Sequence, residues 1–265
     1  MSEMLSEVAH KEMLENLEVI VRSDRVFENV YDSDSPEVIE WTNMFYKMAN
    51  VDKIFEETWM RLKFRSKTKA AVIGTFWHHF SSLAPKVMSI ASAQVSNNLM
   101  RHYIVQIIFE ELGSRNHRLI HPDLFLDCLQ QIGITDHDRI NLISKNLSKF
   151  PFEYLKTIMT NASTDGMSLG ILLDLEIDAE ENIQTLFDAL SYDEESSELV
   201  EKSSFFRIHK IAEKEHIRLN VANFLRFCPS EESKSEFLSG FNQAVHFWRL
   251  YWNAINEVID QGHLA

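Results

Sequence analysis

Seven glycines and five prolines in 265 residues leave this chain few ways to turn sharply. Tight hairpins and phosphate-cradling loops are built largely on these two residues. A chain so poor in them is steered toward long helices joined by short connections. Hydrophobic residues make up 45% of the sequence, enough for a packed core. The length suits one large domain or two small ones. No G-x-x-x-x-G-K or G-x-G-x-x-G occurs, so nucleotide binding on such loops is unsupported. The formal net charge of -14 repels phosphate backbones and argues against a nucleic-acid partner. No uninterrupted apolar run approaches the ~18 residues of a membrane span. Cys128 and Cys228 are too few for a disulfide framework and suit a reducing cytoplasm. The opening MSEMLSEVAHKEMLE is acidic and amphipathic, without a signal-peptide pattern, so a cytoplasmic location is expected.

Helical periodicity runs through most of the chain. Leu5, Val8, Leu14, Leu17 and Ile20 predict a first helix over 3–21. Ser35-Pro36-Glu37 supplies a cap, a first-turn proline and a carboxylate at the positive end of the dipole, opening a helix to about Lys47. Further helices are expected over 52–62, 69–93 with a kink at Pro85, and 96–112, where Gly113 is a natural stop. His121-Pro122 opens the next. Thr135 with Asp138 resembles a capping box for a helix to about Leu147. Phe150–Met159 is short. Ser163-Thr164-Asp165 caps a long helix, in which Asp174, Asp178, Glu180 and Glu181 read as a solvated face. Tyr192–Ser203 reads as an acidic, serine-rich loop. The last two helices end near Cys228-Pro229 and Asp260. There is no internal repeat and no compositional break.

The chemistry concentrates in FFRIHKIAEKEHIRL, residues 205–219. His209, Glu213 and His216 are spaced i, i+4, i+7. At about 100° per residue, Glu213 lies roughly 40° to one side of His209 and His216 roughly 20° to the other. Two imidazoles and a carboxylate on one stripe suit iron, manganese or zinc. The stripe is equally compatible with a solvated face on which Glu213 pairs with Lys210 or Lys214. Two carboxylates, Glu110 and Glu111, close the helix before Gly113, where the dipole disfavours them. His117 and His121 lie within reach of a cation there. Leu169, Leu172, Leu173 and Glu176 share a face, so Glu176 extends an apolar stripe inward and needs a partner, a proton or a metal. Glu7 and His10 form an E-x-x-H of the kind ferritin-like bundles use twice, with Glu213 and His216 as a second copy. Its neighbours Glu3, Lys11 and Glu12 favour the surface.

Taken in order, three landmarks resemble the heme-oxygenase-like di-iron oxidases. They are E-E-x-G followed by H-P-x-L-F (Glu110 to Phe125), a lone glutamate in LLDLEID (Glu176), and H-x3-E-x2-H (His209, Glu213, His216). The resemblance covers roughly residues 50–255. It implies an all-α, heme-oxygenase-like bundle of about seven core helices over 51–265, with residues 1–50 as an N-terminal helical extension. It implies six metal ligands: Glu110, His121, Glu176, His209, Glu213 and His216. Glu111 is the alternate to Glu110, and His117 the alternate to His121. Glu213 stands where the family more often has aspartate.

That ligand set implies two ferrous ions, with manganese also accommodated, and dioxygen as co-substrate. The organic substrate would be a small amine, amino acid or fatty acid. An external electron donor and a homodimer are compatible with it. The thiaminase and pyrroloquinoline-quinone-synthase branches share the fold without these ligands. They define the alternative, a metal-free enzyme or small-molecule binding protein on the same scaffold. Phe76, Trp77, Phe80 and Tyr103 are candidates for an apolar wall around a substrate, or for plain core packing.

Overall fold

The computed structural model describes residues 35–49, 65–135 and 149–260, and the backbone alone at residues 180, 210–216 and 219. The helices expected over 3–21, 52–62 and 135–147 lie wholly or almost wholly outside these residues, as do Glu7, His10 and the expected domain boundary near residue 50. Among the described residues there are helices and no strands. In chain order they are α1 (Pro36–Ala49), α2 (Lys67–Gln94), α3 (Asn98–Glu111), a single 3-10 turn (His117–Leu119), α4 (His121–Gln131), α5 (Phe150–Thr160), α6 (Asp165–Ile177), α7 (Ala179–Leu190), α8 (Glu194–Lys202), α9 (Ser204–Phe227) and α10 (Glu231–Asp260).

Local chemistry sets the boundaries. The Ser35 hydroxyl accepts from Val38 N at 3.3 Å, and the Thr164 hydroxyl accepts from Met167 N at 3.2 Å. Both satisfy helix-start N–H groups that have no partner within the helix. Gly113 ends α3 at φ 83°, a left-handed conformation that costs glycine little. Two expectations change. Tyr192–Ser203 is not a loop: Asp193 and Ser196 cap each other reciprocally and start α8, which buries Val200. The long helix after Thr164 is two helices, α6 and α7, meeting at Asp178.

The core is a continuous aromatic and aliphatic cluster. Phe45 of α1 sits 5.3 Å from Phe224 and 5.2 Å from Phe241, ring centre to ring centre, so α1 is seated on α9 and α10. Burying one such ring stabilises the fold by about 1.5–3 kcal/mol.

The tightest packing joins α6 to α10. A Cβ added at Gly170 would lie 2.0 Å from the Phe237 carbonyl oxygen, and one at Gly240 would lie 2.1 Å from that of Met167. Gly166 meets Ser233, Gly170 meets Phe237 and Phe241, and Asn182 of α7 accepts from Trp252 Nε1 at 2.8 Å. The two segments therefore run parallel, with backbone against backbone at their N-terminal ends.

Gly166, Gly170, Asp174, Asp178 and Asn182 fall every fourth residue, on one ridge. This corrects the expected solvated face: Asp174 is 0% exposed and Asp178 2% exposed. Burial pushes the Asp174 carboxyl well above the ordinary range, and the charge of Asp178 pushes it further. Burial, then the charge of Glu181, does the same to Asp178.

Two outcomes are expected. Gly170→Ala should destabilise the fold by about 3 kcal/mol or more, because backbone must move to admit the methyl group; denaturant unfolding reads this directly. Asp174 has a folded pKa above its unfolded one, so the unfolded chain binds fewer protons and stability falls as pH rises above the usual carboxylate range. Asp174→Asn should remove that penalty, raising the melting temperature more at neutral pH than near the unfolded carboxyl value of 3.8.

Candidate metal centre

Three elements bring half-buried polar side chains together. Glu111 is the last residue of α3, His121 the first of α4, and His209 lies in the second turn of α9. One ligand atom from each falls within 4.8 Å of the others. His121 Nδ1 stands 3.1 Å from Glu111 Oε1, without the alignment of a hydrogen bond. Adjacent ligands on a metal bound at about 2.1 Å sit roughly 3 Å apart, so this close approach suits a shared ion. The His121 and His209 rings are 4.9 Å apart, edge to face.

His209 is oriented by its own helix. Its Nδ1 lies 2.8 Å from the Phe205 carbonyl oxygen. A carbonyl only accepts, so Nδ1 carries the proton and Nε2 keeps its lone pair. This is the second contact by which proteins fix a metal-binding imidazole. The Phe205 ring, 4.1 Å away, packs against it. The donor set, one carboxylate and two imidazoles, suits iron, manganese or zinc.

These groups open on a cavity of about 70 Å³. Glu176 lines it too, together with Leu175, Ala179 and Ile183 from the same side of α6 and α7. Glu176 lies about 200° around the helix from Asp174 and from Asp178. The ridge packed against α10 therefore leaves Glu176 facing the cavity.

Of the six ligands expected, His121 and His209 meet in one cluster and Glu176 lines the same cavity. The glutamate that joins them is Glu111, the alternate, and not Glu110. The reason is helical phase. Met100 and Ile104 are the buried residues of α3, and Glu111 continues their face while Glu110 lies about 100° away. That phase was available in the sequence, in the apolar run Met100, Ile104, Ile107, Ile108. His117 is exposed on the 3-10 turn and is not in the cluster. Glu213 and His216 lie within α9, one and two turns beyond His209, and their side chains are outside those described.

Trp77 and Phe80 line the cavity, while Phe76 packs on Phe152 and Tyr251, and Tyr103 on Phe227. Sequence reading missed the remaining α2 wall, Ser81, Ala84 and Met88, which has no chemical signature. Neither cysteine belongs to the site: burial pushes the Cys128 thiol up to about 11 and Cys228 to about 12. His79 meets Phe152 edge to face at 4.4 Å, and burial, with Lys156 next, lowers its pKa.

An all-helical bundle with an interior carboxylate–imidazole cluster is the class of structure these observations define. The chain belongs to the family described as iron-containing redox enzymes, whose profile matches residues 71–249. That membership places it among the oxidoreductases. A CADD-like protein of unknown function from Nostoc punctiforme superposes with a TM-score of 0.69 at 16% identity, over 85% of this chain and 100% of that one. A domain of unknown function with a heme oxygenase-like fold from Shewanella denitrificans gives 0.57 at 13% identity, over 93% and 91%. The fold is thus heme-oxygenase-like. No curated protein matches. Among the described residues no helix is long and apolar enough to cross a membrane.

The cluster separates the two adjacent glutamates by experiment. Glu111→Gln should weaken binding of ferrous iron or manganese by about tenfold or more, and Glu110→Gln by little. Metal titration of both variants by calorimetry checks this.

Proposed function

We propose that this chain is a dioxygen-activating, non-heme di-iron oxidoreductase acting on a small organic substrate. The single observation that carries the reading is the convergence of Glu111, His121 and His209 within 4.8 Å inside an apolar cavity, in a chain of an iron-containing redox family. The proposed ligands are Glu111, His121 and Glu176 with His209, Glu213 and His216. Three carboxylates and three imidazoles offset most of the charge of two divalent ions. When bound, the two ions supply the electrons that reduce dioxygen, which no side chain here can do.

The rest of the chemistry belongs to the chain. The Phe205 carbonyl holds the His209 proton on Nδ1, away from the face offered to metal. The apolar side chains of Trp77, Phe80 and Ile208 beside the cluster lower the local polarity, which strengthens electrostatic contacts there. An external electron donor would restore the ferrous state between turnovers.

The test is a single turnover. Ferrous protein mixed with dioxygen should consume it in proportion to bound iron. His209→Ala should bind less iron and consume at least about tenfold less dioxygen, with the helical circular-dichroism signal retained. Dioxygen consumption unaffected in that variant would remove this site from the reaction.

A further inference from the structure

The outward face of α3 differs from the rest of this acidic molecule. Five large apolar side chains are exposed among the described residues. Three of them, Val105, Phe109 and Leu112, stand on α3 at 44%, 45% and 47% exposure. Their i, i+4, i+7 spacing puts them on one stripe roughly 60° wide. Single exposed apolar residues are ordinary, but contiguous ones mark a surface that meets something. α3 packs on α2, and Met100 and Ile104 are its buried residues, on the side away from the stripe.

The turn after α3 adds charge of the opposite sign to the chain's net -14. Arg115, His117 and Arg118 are all exposed, within six residues of Leu112. Neither guanidinium has an ion-pair partner among the described residues. Glu110 lies about 100° off Phe109 and flanks the stripe. The same turn joins Glu111 to His121. Phe109 lies about 200° around α3 from Glu111, so the stripe backs onto the metal cluster with one helix, about 10–12 Å thick, between them. A second copy of this chain suits the surface poorly. A two-fold contact through the stripe would set Arg115 and Arg118 against their own copies. The helix has 14 residues. At about 21 Å long it offers much less than the roughly 800 Å² per partner of a stable interface. Encounters with electron carriers are the small class, and aromatic residues with arginine are their usual anchors.

We propose that Val105, Phe109 and Leu112, rimmed by Arg115 and Arg118, form the docking surface for an acidic one-electron carrier protein that passes electrons across α3 to the centre at Glu111, His121 and His209. The inference rests on the di-iron reading above and identifies the kind of partner that restores the ferrous state. Each encounter oxidises the carrier by one electron and reduces one ferric ion by one, so two encounters reload two ions. No atom crosses the face. Screening over about 8 Å at physiological salt lets the local arginines attract an acidic partner despite the chain's net charge. A small apolar centre with a charged rim also lets the spent carrier leave quickly.

The probe is an acidic plant-type 2Fe–2S ferredoxin, titrated by calorimetry into the iron-loaded protein and into the metal-free protein. It should bind both, at least about tenfold more tightly at roughly 0.05 M salt than at 0.5 M. Arg115→Glu combined with Arg118→Glu, and separately Phe109→Asp, should each weaken it at least about tenfold, with the iron count and the helical circular-dichroism signal retained. Reduced ferredoxin should turn bound ferric iron ferrous at least about tenfold more slowly in these variants than in wild type. Phe109→p-benzoylphenylalanine in the full chain should photo-crosslink to ferredoxin. No ferredoxin binding, or binding that both variants leave intact, overturns the proposal. So does capture at position 109 of residues 1–34, of a second copy or of phosphatidylglycerol vesicles in place of ferredoxin. Ferredoxin bound at this face by a chain that takes up no iron would support the docking surface and fault the di-iron reading.

Discussion

Gly170 lets α6 lie directly on α10, carbonyl against Cα, and the interior is arranged around that contact. No side chain fits between the helices there, so the rotation of α6 about its own axis is set by sterics. The residues every four positions along that ridge are consequently buried, whatever their polarity. The opposite face of α6, about half a turn away, is then presented to α2, α4 and α9. Glu176 and Leu175 stand on it. The same constraint that forces Asp174 into the core aims Glu176 at the cavity.

The site is assembled from helix ends and one helix middle. Glu111 closes α3, His121 opens α4, and a glycine-led turn brings the two within contact. Each is unfavourable alone: a carboxylate at the negative end of a helix dipole, and imidazoles crowded against it in an apolar shell. A bound cation would reverse the sign of those terms. In that sense the cluster suits an iron-containing family.

Much of this was legible in the residues. Scarce glycine and proline gave the helical class, Gly113 and Thr164 marked helix boundaries, and His209 was picked out as a candidate ligand on its helix. Three parts were not. Glu111 stood only as the alternate to Glu110 because the motif fixes no helical phase, while the phase of Met100 and Ile104 turns Glu111 toward the cluster. Asp174 and Asp178 looked solvated because aspartates on a helix usually are; only the backbone contact at Gly170 buries their ridge. The wall from Ser81, Ala84 and Met88 carries no residue type that signals function, and is visible only once α2 has neighbours.

The most direct test of the central claim is an anomalous difference map, collected at the iron absorption edge from crystals grown with ferrous iron under anaerobic conditions. The account predicts two iron ions in the cavity, with Glu111, His121 and His209 among their ligands and Glu176 beside them. A map with no iron there, or with iron held only at surface carboxylates, would contradict it.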